Sequence, residues 1–144
     1  MSDSQRFPVA VHALIYLAHK RATGPDRALS SSALAASIPT NPVVIRRVTA
    51  MLAKAGLIGT RAGAGGGAWL LQAPSKIGLD RVLSAVNEGA HLGCPPPGAR
   101  DCPISQSIPR AVAGAIRAAD QAAAGSLARI TIADLLSEAE APAA

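Results

Sequence analysis

Residues 41–71, NPVVIRRVTAMLAKAGLIGTRAGAGGGAWLL, constrain the fold more than any other part of the chain. Asn41 can cap a helix, and Pro42 suits the first helical position, where its missing N–H costs nothing. Val44, Val48, Met51, Leu52 and Ala55 recur at helical spacing and predict one buried face. Arg46, Arg47 and Lys54 fall on the opposite face, and Gly56 can close the helix in the left-handed conformation. Two short apolar runs follow, residues 57–61 and 68–71, joined by a glycine-rich tip that begins after Arg61. The stretch therefore predicts a helix with one side for a core and another for an anion, followed by a basic-edged hairpin.

The tip AGAGGG has the glycine content of a phosphate-cradling loop. It lacks the lysine and Ser/Thr of a nucleotide P-loop, and no helical pattern opens directly after it. Catalysis is disfavoured too, because no Ser/His/Asp arrangement is apparent and the three histidines lack metal-site spacing. The distribution of charge points to a polyanion. Residues 1–62 hold eight Lys/Arg against two Asp/Glu, whereas residues 63–144 hold six against seven. The net charge of +5 thus belongs to the half that carries the helix and hairpin.

The rest of the chain reads as mainly α. Hydrophobic residues make up 49 % but aromatics only 2 %, so the core must rest on Ala, Leu, Ile and Val, and 144 residues suffice for one domain. A first helix is predicted from Ser4 to about Arg21, burying Phe7, Val11, Leu14, Ile15 and Ala18. A short helix capped by Ser30 or Ser31 carries Leu34 and Ile38 inward. Pro39-Thr40 then turns the chain into the helix at Asn41. This is a helix-turn-helix, whose second helix enters a DNA major groove, and the hairpin is its wing. Trp69 is expected to pack the wing against the helices. Ile77, Leu79, Val82, Leu83 and Val86 predict a further helix ending near Glu88-Gly89. A proline-rich loop through Cys94 and Cys102 follows.

A long helix then carries Ile104, Ile108, Val112, Ile116 and Ala119 on one stripe, with Ala115 and Ala122 allowing close approach. Pro109 is expected to kink or restart it. This stripe is more apolar than one small domain needs, and a symmetric dimer contact is the preferred reading over an internal core. Thr131-Ile-Ala-Asp134 announces a last helix with a capping box, Leu135 and Leu136 facing inward, and EAEAPAA is expected to fray. No apolar run spans a bilayer, the N-terminal stretch lacks a convincing cleavage site, and two cysteines make no disulfide framework. The expectation is a cytoplasmic chain organised as a DNA-binding region over residues 1–74 and a sensor loop with dimerisation helices over 75–144, in one continuous domain.

The segments VIRRVTAMLAKAGLI, TRAGAGGGAWLL, PSKIGLDRVLSAVNEG and TIADLL resemble the Rrf2 family of bacterial winged-helix regulators, the group that contains IscR, NsrR and CymR. NPVVIRR and CPIS look most like its YwnA-like branch. The resemblance covers roughly residues 5–136. It implies a homodimeric transcription factor, repressor or activator, whose long helix dimerises, whose wing meets the minor groove and whose loop before the long helix holds the sensor. On the residues, Thr40 and Asn41 are candidates for phosphate or base-edge bonds, and Val43 or Val44 for a thymine methyl. Arg46 or Arg47 is a candidate for guanine, Arg61 for the minor groove, and Gln5 and Arg6 for phosphates.

Iron–sulfur members of the family carry three clustered cysteines, whereas only Cys94 and Cys102 stand here. A four-ligand cluster would need His91, His12, Asp101 or a partner subunit to complete it. By default His12 is a packed or surface residue. Pro103 places Cys102 at a helix N-cap, where unpaired amides favour a thiolate; Arg100 adds to this and Asp101 opposes it. The readings left open are a redox-responsive thiol pair, an iron–sulfur sensor, two inert cysteines with no cofactor or with an unknown small ligand, and a winged module without DNA binding.

Overall fold

In the computed structural model, which describes residues 3–87 and 91–143, six α-helices surround one antiparallel hairpin. Helix α1 spans Asp3–His19, α2 Ser31–Ser37 and α3 Pro42–Lys54. Strand β1 spans Ile58–Arg61 and β2 Gly67–Leu70, with Ile58 opposite Leu70 and Arg61 opposite Gly67. Helix α4 covers Leu79–Val86, α5 Pro103–Leu127 and α6 Ile132–Glu140. The expected end near Glu88-Gly89 lies outside the described residues.

The local signals account for these boundaries. Ser30 Oγ accepts from the Ala33 N–H at 3.1 Å and Asn41 Oδ1 from the Val43 N–H at 2.8 Å, so both helices of the helix-turn-helix start on side-chain caps. At Thr131 the capping box is complete: Thr131 Oγ1 accepts from Asp134 N at 3.1 Å and Asp134 Oδ2 from Thr131 N at 2.9 Å. Gly56 ends α3 with φ +76°. The last helix continues to Glu140 rather than fraying at 138, and His19 Nδ1 meets Glu140 Oε1 at 2.8 Å, joining the ends of α1 and α6.

The core is aliphatic. Leu14 and Leu17 of α1, Leu34 of α2, Ile45, Val48 and Leu52 of α3, Val82 and Val86 of α4 and Ile132 of α6 are fully buried together. Each such side chain contributes about 1.5–3 kcal/mol of transfer free energy, which lets a core almost without aromatics hold these five helices. Two backbone bridges close the unit. Leu29 pairs with Ala68, fastening the wing to the entry of α2, and Gly78 pairs with Thr131, fastening α6 to the entry of α4.

Two buried faces are rotated from the expected ones. In α3 the inward residues are Ile45, Val48, Thr49 and Leu52; Val44 and Met51 are half-buried and Ala55 is exposed. Thr49 is accommodated because its hydroxyl donates to the Ile45 carbonyl at 2.9 Å. In α1 the inward residues are Ala10, Ala13, Leu14, Leu17 and Ala18. Small alanines let α1 approach its neighbours closely. The larger Phe7, Val11 and Ile15 line an open groove with Leu79 and Leu135, and His12 stands among them, hydrogen-bonded to Ser37 Oγ at 3.0 Å.

Helix α5 departs most from a core element. It is unbroken from Pro103 to Leu127, so Pro109 does not restart it, and none of its residues is buried. Ile104, Ile108 and Val112 are 69 %, 51 % and 41 % exposed. The expected stripe exists; its first three members are exposed and Ile116 is half-buried.

Candidate nucleic-acid interface

Between α3 and the wing runs a groove of about 470 Å³. Arg46 and Thr49 line it from α3, Thr60 and Arg61 from β1, Gly63, Gly66 and Gly67 from the tip, and Ser30 and Ser31 from the start of α2. Arg46 and Arg61 lie far apart in sequence and are brought to one concavity by the bridge between Leu29 and Ala68. Its two hydrogen bonds measure 2.8 and 2.9 Å. Gly67 makes that bridge possible. Its φ is +148°, and a Cβ there would stand 2.2 Å from the Leu29 carbonyl oxygen. Gly66 is equally tight, with a Cβ position 2.1 Å from the Arg61 carbonyl. The tip glycines thus fold the wing back onto its own strand, and Arg61 Nη2 reaches the Gly65 carbonyl at 3.5 Å.

Around this groove the expected contact residues fall into two groups. Arg46, Arg47 and Arg61 are exposed, as guanidinium groups must be to meet a polyanion, but of the two helix arginines only Arg46 lines the groove. Val43 is 47 % exposed and Val44 half-buried, which makes Val43 the apolar side chain at the helix front. Asn41 Oδ1 is occupied by its cap, leaving its amide nitrogen as the available group. Thr40 is half-buried and its N–H closes on the Ala35 carbonyl at 3.1 Å. Gln5 is exposed and Arg6 half-buried on α1. Ser31 and Thr60 were absent from the sequence-derived set. The serine run at 30–32 and the threonine beside Arg61 were the available signals, masked by the role of such residues as caps and strand formers.

A helix-turn-helix with a wing and two arginines in the intervening groove is the geometry of a duplex reader. The comparisons with known proteins agree. The Rrf2 family, described as iron-dependent transcriptional regulators, matches residues 3–138. This chain belongs to the Rrf2 family. YwnA of Bacillus subtilis (strain 168), described as an HTH-type transcriptional regulator, is 31 % identical over 137 residues, covering 92 % of this chain and 96 % of YwnA. A crystal structure of a DNA-binding protein is 31 % identical with a TM-score of 0.69, covering 91 % of this chain and 98 % of that one. A transcriptional regulator from Lactobacillus plantarum is 27 % identical with a TM-score of 0.74, covering 94 % and 89 %. The protein is therefore a transcriptional regulator of mainly helical, winged-helix build, and not an enzyme. No described helix of this Rrf2 protein is long and apolar enough to cross a membrane.

The second candidate region is the loop before α5. It runs along that helix and is held at both ends: the His91 N–H donates to Asp120 Oδ2 at 3.2 Å, and the Ala99 N–H to Ser105 Oγ at 2.8 Å. Pro109 has no N–H for the Ser105 carbonyl, and the loop uses that gap. Gly98 packs there so closely that a Cβ would lie 1.9 Å from the Ser105 oxygen. Cys94 is exposed and lines a groove with Pro95–Pro97 and with Ile108, Val112 and Ile116 of the α5 stripe. Cys102 is half-buried at the N-cap of α5, as expected, but its thiol makes no capping hydrogen bond.

The family description invokes iron, and the donors present do not fit an iron site within one chain. Among the described residues no three or more His, Cys, Asp or Glu side chains gather where a metal ion could be held. His91 is engaged with Asn87, Nδ1 to Nδ2 at 3.2 Å. His12 is on α1, hydrogen-bonded to Ser37.

Proposed function

We propose that this regulator works as a cytoplasmic homodimer that sets two α3 helices and two wings on the half-sites of a pseudo-palindromic operator and represses transcription there. The observation that carries this reading is the shared groove of Arg46 and Arg61. A helix front in the major groove gives Arg46 or Arg47 access to guanine and Val43, rather than Val44, access to a thymine methyl. The wing then delivers Arg61 to the neighbouring minor groove, with glycine backbone able to come close to phosphates. Gln5, Arg6, Thr40 and the amide of Asn41 supply flanking phosphate contacts, joined by Ser31 and Thr60.

Dimerisation uses the α5 stripe of Ile104, Ile108, Val112, Ala115, Ile116 and Ala119, none of which is buried in the single chain. The segments 1–74 and 75–144 divide the labour between DNA contact and control. They are not separate cores, because α1 packs on both α4 and α6. Control is assigned to the thiols: oxidation of Cys94 and Cys102 to a disulfide, within or between subunits, passes two electrons to an oxidant and reshapes the loop beside the α5 stripe. This reading is favoured over a cluster because the ligands do not assemble and Cys94 is accessible.

An electrophoretic shift with the DNA upstream of the protein's own gene tests the core of the proposal. Arg47→Ala and Arg61→Ala should each weaken binding and lower the dependence of log K on log salt by about one. Unchanged affinity and slope for both would sink the docking scheme. If the variants Cys94→Ser and Cys102→Ser both still release DNA on treatment with peroxide or diamide, the thiol assignment is wrong.

A further inference from the structure

The recognition helix α3 leaves through a corner at Gly56, just before the buried Leu57. Gly56 turns the chain left-handed, and a Cβ at that position would meet nothing within 4 Å. The Leu57 N–H closes on the Leu52 carbonyl at 3.1 Å and the Gly56 N–H on the Ala53 carbonyl at 3.0 Å, which finishes the helix. The carbonyl of Gly56 remains, and Gln72 Nε2 donates to it at 3.2 Å. Gln72 lies just past the end of β2, one residue after Leu71, whose N–H meets the Leu57 carbonyl at 3.2 Å. Its Oε1 in turn accepts from Arg81 Nη1 at 2.8 Å, and that same nitrogen donates to the Lys76 carbonyl at 3.2 Å. Arg81 is mounted on α4 beside Val82, which is fully buried, so its backbone is fixed to the core.

One side-chain amide therefore joins three bodies: the exit of the recognition helix, the foot of the wing and α4. Neither Gln72 nor Arg81 lines the groove between α3 and the wing. An exposed arginine hydrogen-bonded to the Lys76 carbonyl is open to a plainer reading as one more phosphate contact. Its guanidinium, however, already has one nitrogen committed to two acceptors, and the chain of bonds ends on the helix itself.

We propose that Gln72 and Arg81 are positioning residues for DNA binding, setting the angle between recognition helix and wing without touching the nucleic acid. The proposal rests on the reading of the groove as the DNA interface. Because the two act through one chain of bonds, removing either breaks the same link, and removing both costs no more than removing one.

The test uses full-length protein and a fluorescent duplex selected by the wild-type protein from a random pool, with anisotropy titrations over a series of salt concentrations. Gln72→Ala and Arg81→Ala should each weaken binding by roughly three- to ten-fold, with the double variant no weaker than either single one. Their salt slopes should match wild type, whereas Arg61→Ala, as the phosphate-contact control, should lose about one unit of slope. Arg81→Lys keeps the charge and loses the fork, so it should bind as weakly as Arg81→Ala; circular dichroism on each variant establishes that it is folded. Near-wild-type binding by Arg81→Lys, a slope loss for Arg81→Ala equal to that of Arg61→Ala, additive effects in the double variant, or no loss of affinity would each overturn the proposal. A wild-type slope for Arg61→Ala would instead overturn the groove reading while leaving the Gln72 and Arg81 comparison to be judged on its own numbers.

Discussion

A methyl group on residue 67 would lie 2.2 Å from the Leu29 carbonyl, at a φ of +148° that side chains rarely adopt. Gly67→Ala must therefore break the bridge that sets the wing beside α3 or strain the backbone, and a cost of about 2–3 kcal/mol is expected in urea unfolding. Gly63 has a positive φ of 88° but open space around it, so Gly63→Ala should cost only about 1 kcal/mol. If the two substitutions cost the same, the bridge is not what fixes Gly67. At the front of α3, Asn41→Ala removes one cap bond, and a loss of about 1 kcal/mol in the same measurement is expected. Asn41, Pro42 and Gly56 were legible from sequence because each acts on its own backbone or on that of a residue two positions away. Gly66 and Gly67 were legible only as a flexible tip, since the carbonyls they approach belong to residues brought near by folding.

Among the elements, existence and order followed from periodicity and punctuation, while orientation did not. The inward faces of α1 and α3 are each rotated from the expected ones, in α3 toward Ile45 and Thr49 and in α1 toward smaller side chains. In α1 the contact is made by Ala10 and Ala13, which permit close packing, and Phe7 and Val11 are left at the margin. Hydrophobic size ranks residues by what they gain in isolation; packing ranks them by how near two backbones can come. Pro109 illustrates a second limit: the helix does not restart there, and Gly98 of the loop packs against the Ser105 carbonyl one turn earlier. A bulkier residue at 98 should lift the loop from α5. Gly98→Val is expected to speed amide exchange at Ala99 by ten-fold or more, read by hydrogen–deuterium exchange, because the bond to Ser105 Oγ is lost.

On the scale of the whole molecule, α5 presents Ile104, Ile108 and Val112 at 69 %, 51 % and 41 % exposure. If two copies meet there, the thermal midpoint should rise with protein concentration, and Val112→Asp should abolish that rise and shift the species seen by gel filtration to the monomer. A midpoint independent of concentration in the wild type would refute the dimeric assembly. The asymmetry of charge, visible in the sequence, is also a molecular property: the positive half contains α1 to β1, and the near-neutral half contains the loop and α5. Finally, Trp69 stands opposite Gly59 in the hairpin, its indole so near that a Cβ on Gly59 would fall 2.5 Å from the ring. The chain holds a single tryptophan and a single tyrosine, Tyr16 on α1, so emission excited at the long-wavelength edge, where tyrosine does not absorb, comes from the wing. The colour and intensity of that light give an unlabelled optical gauge of the wing.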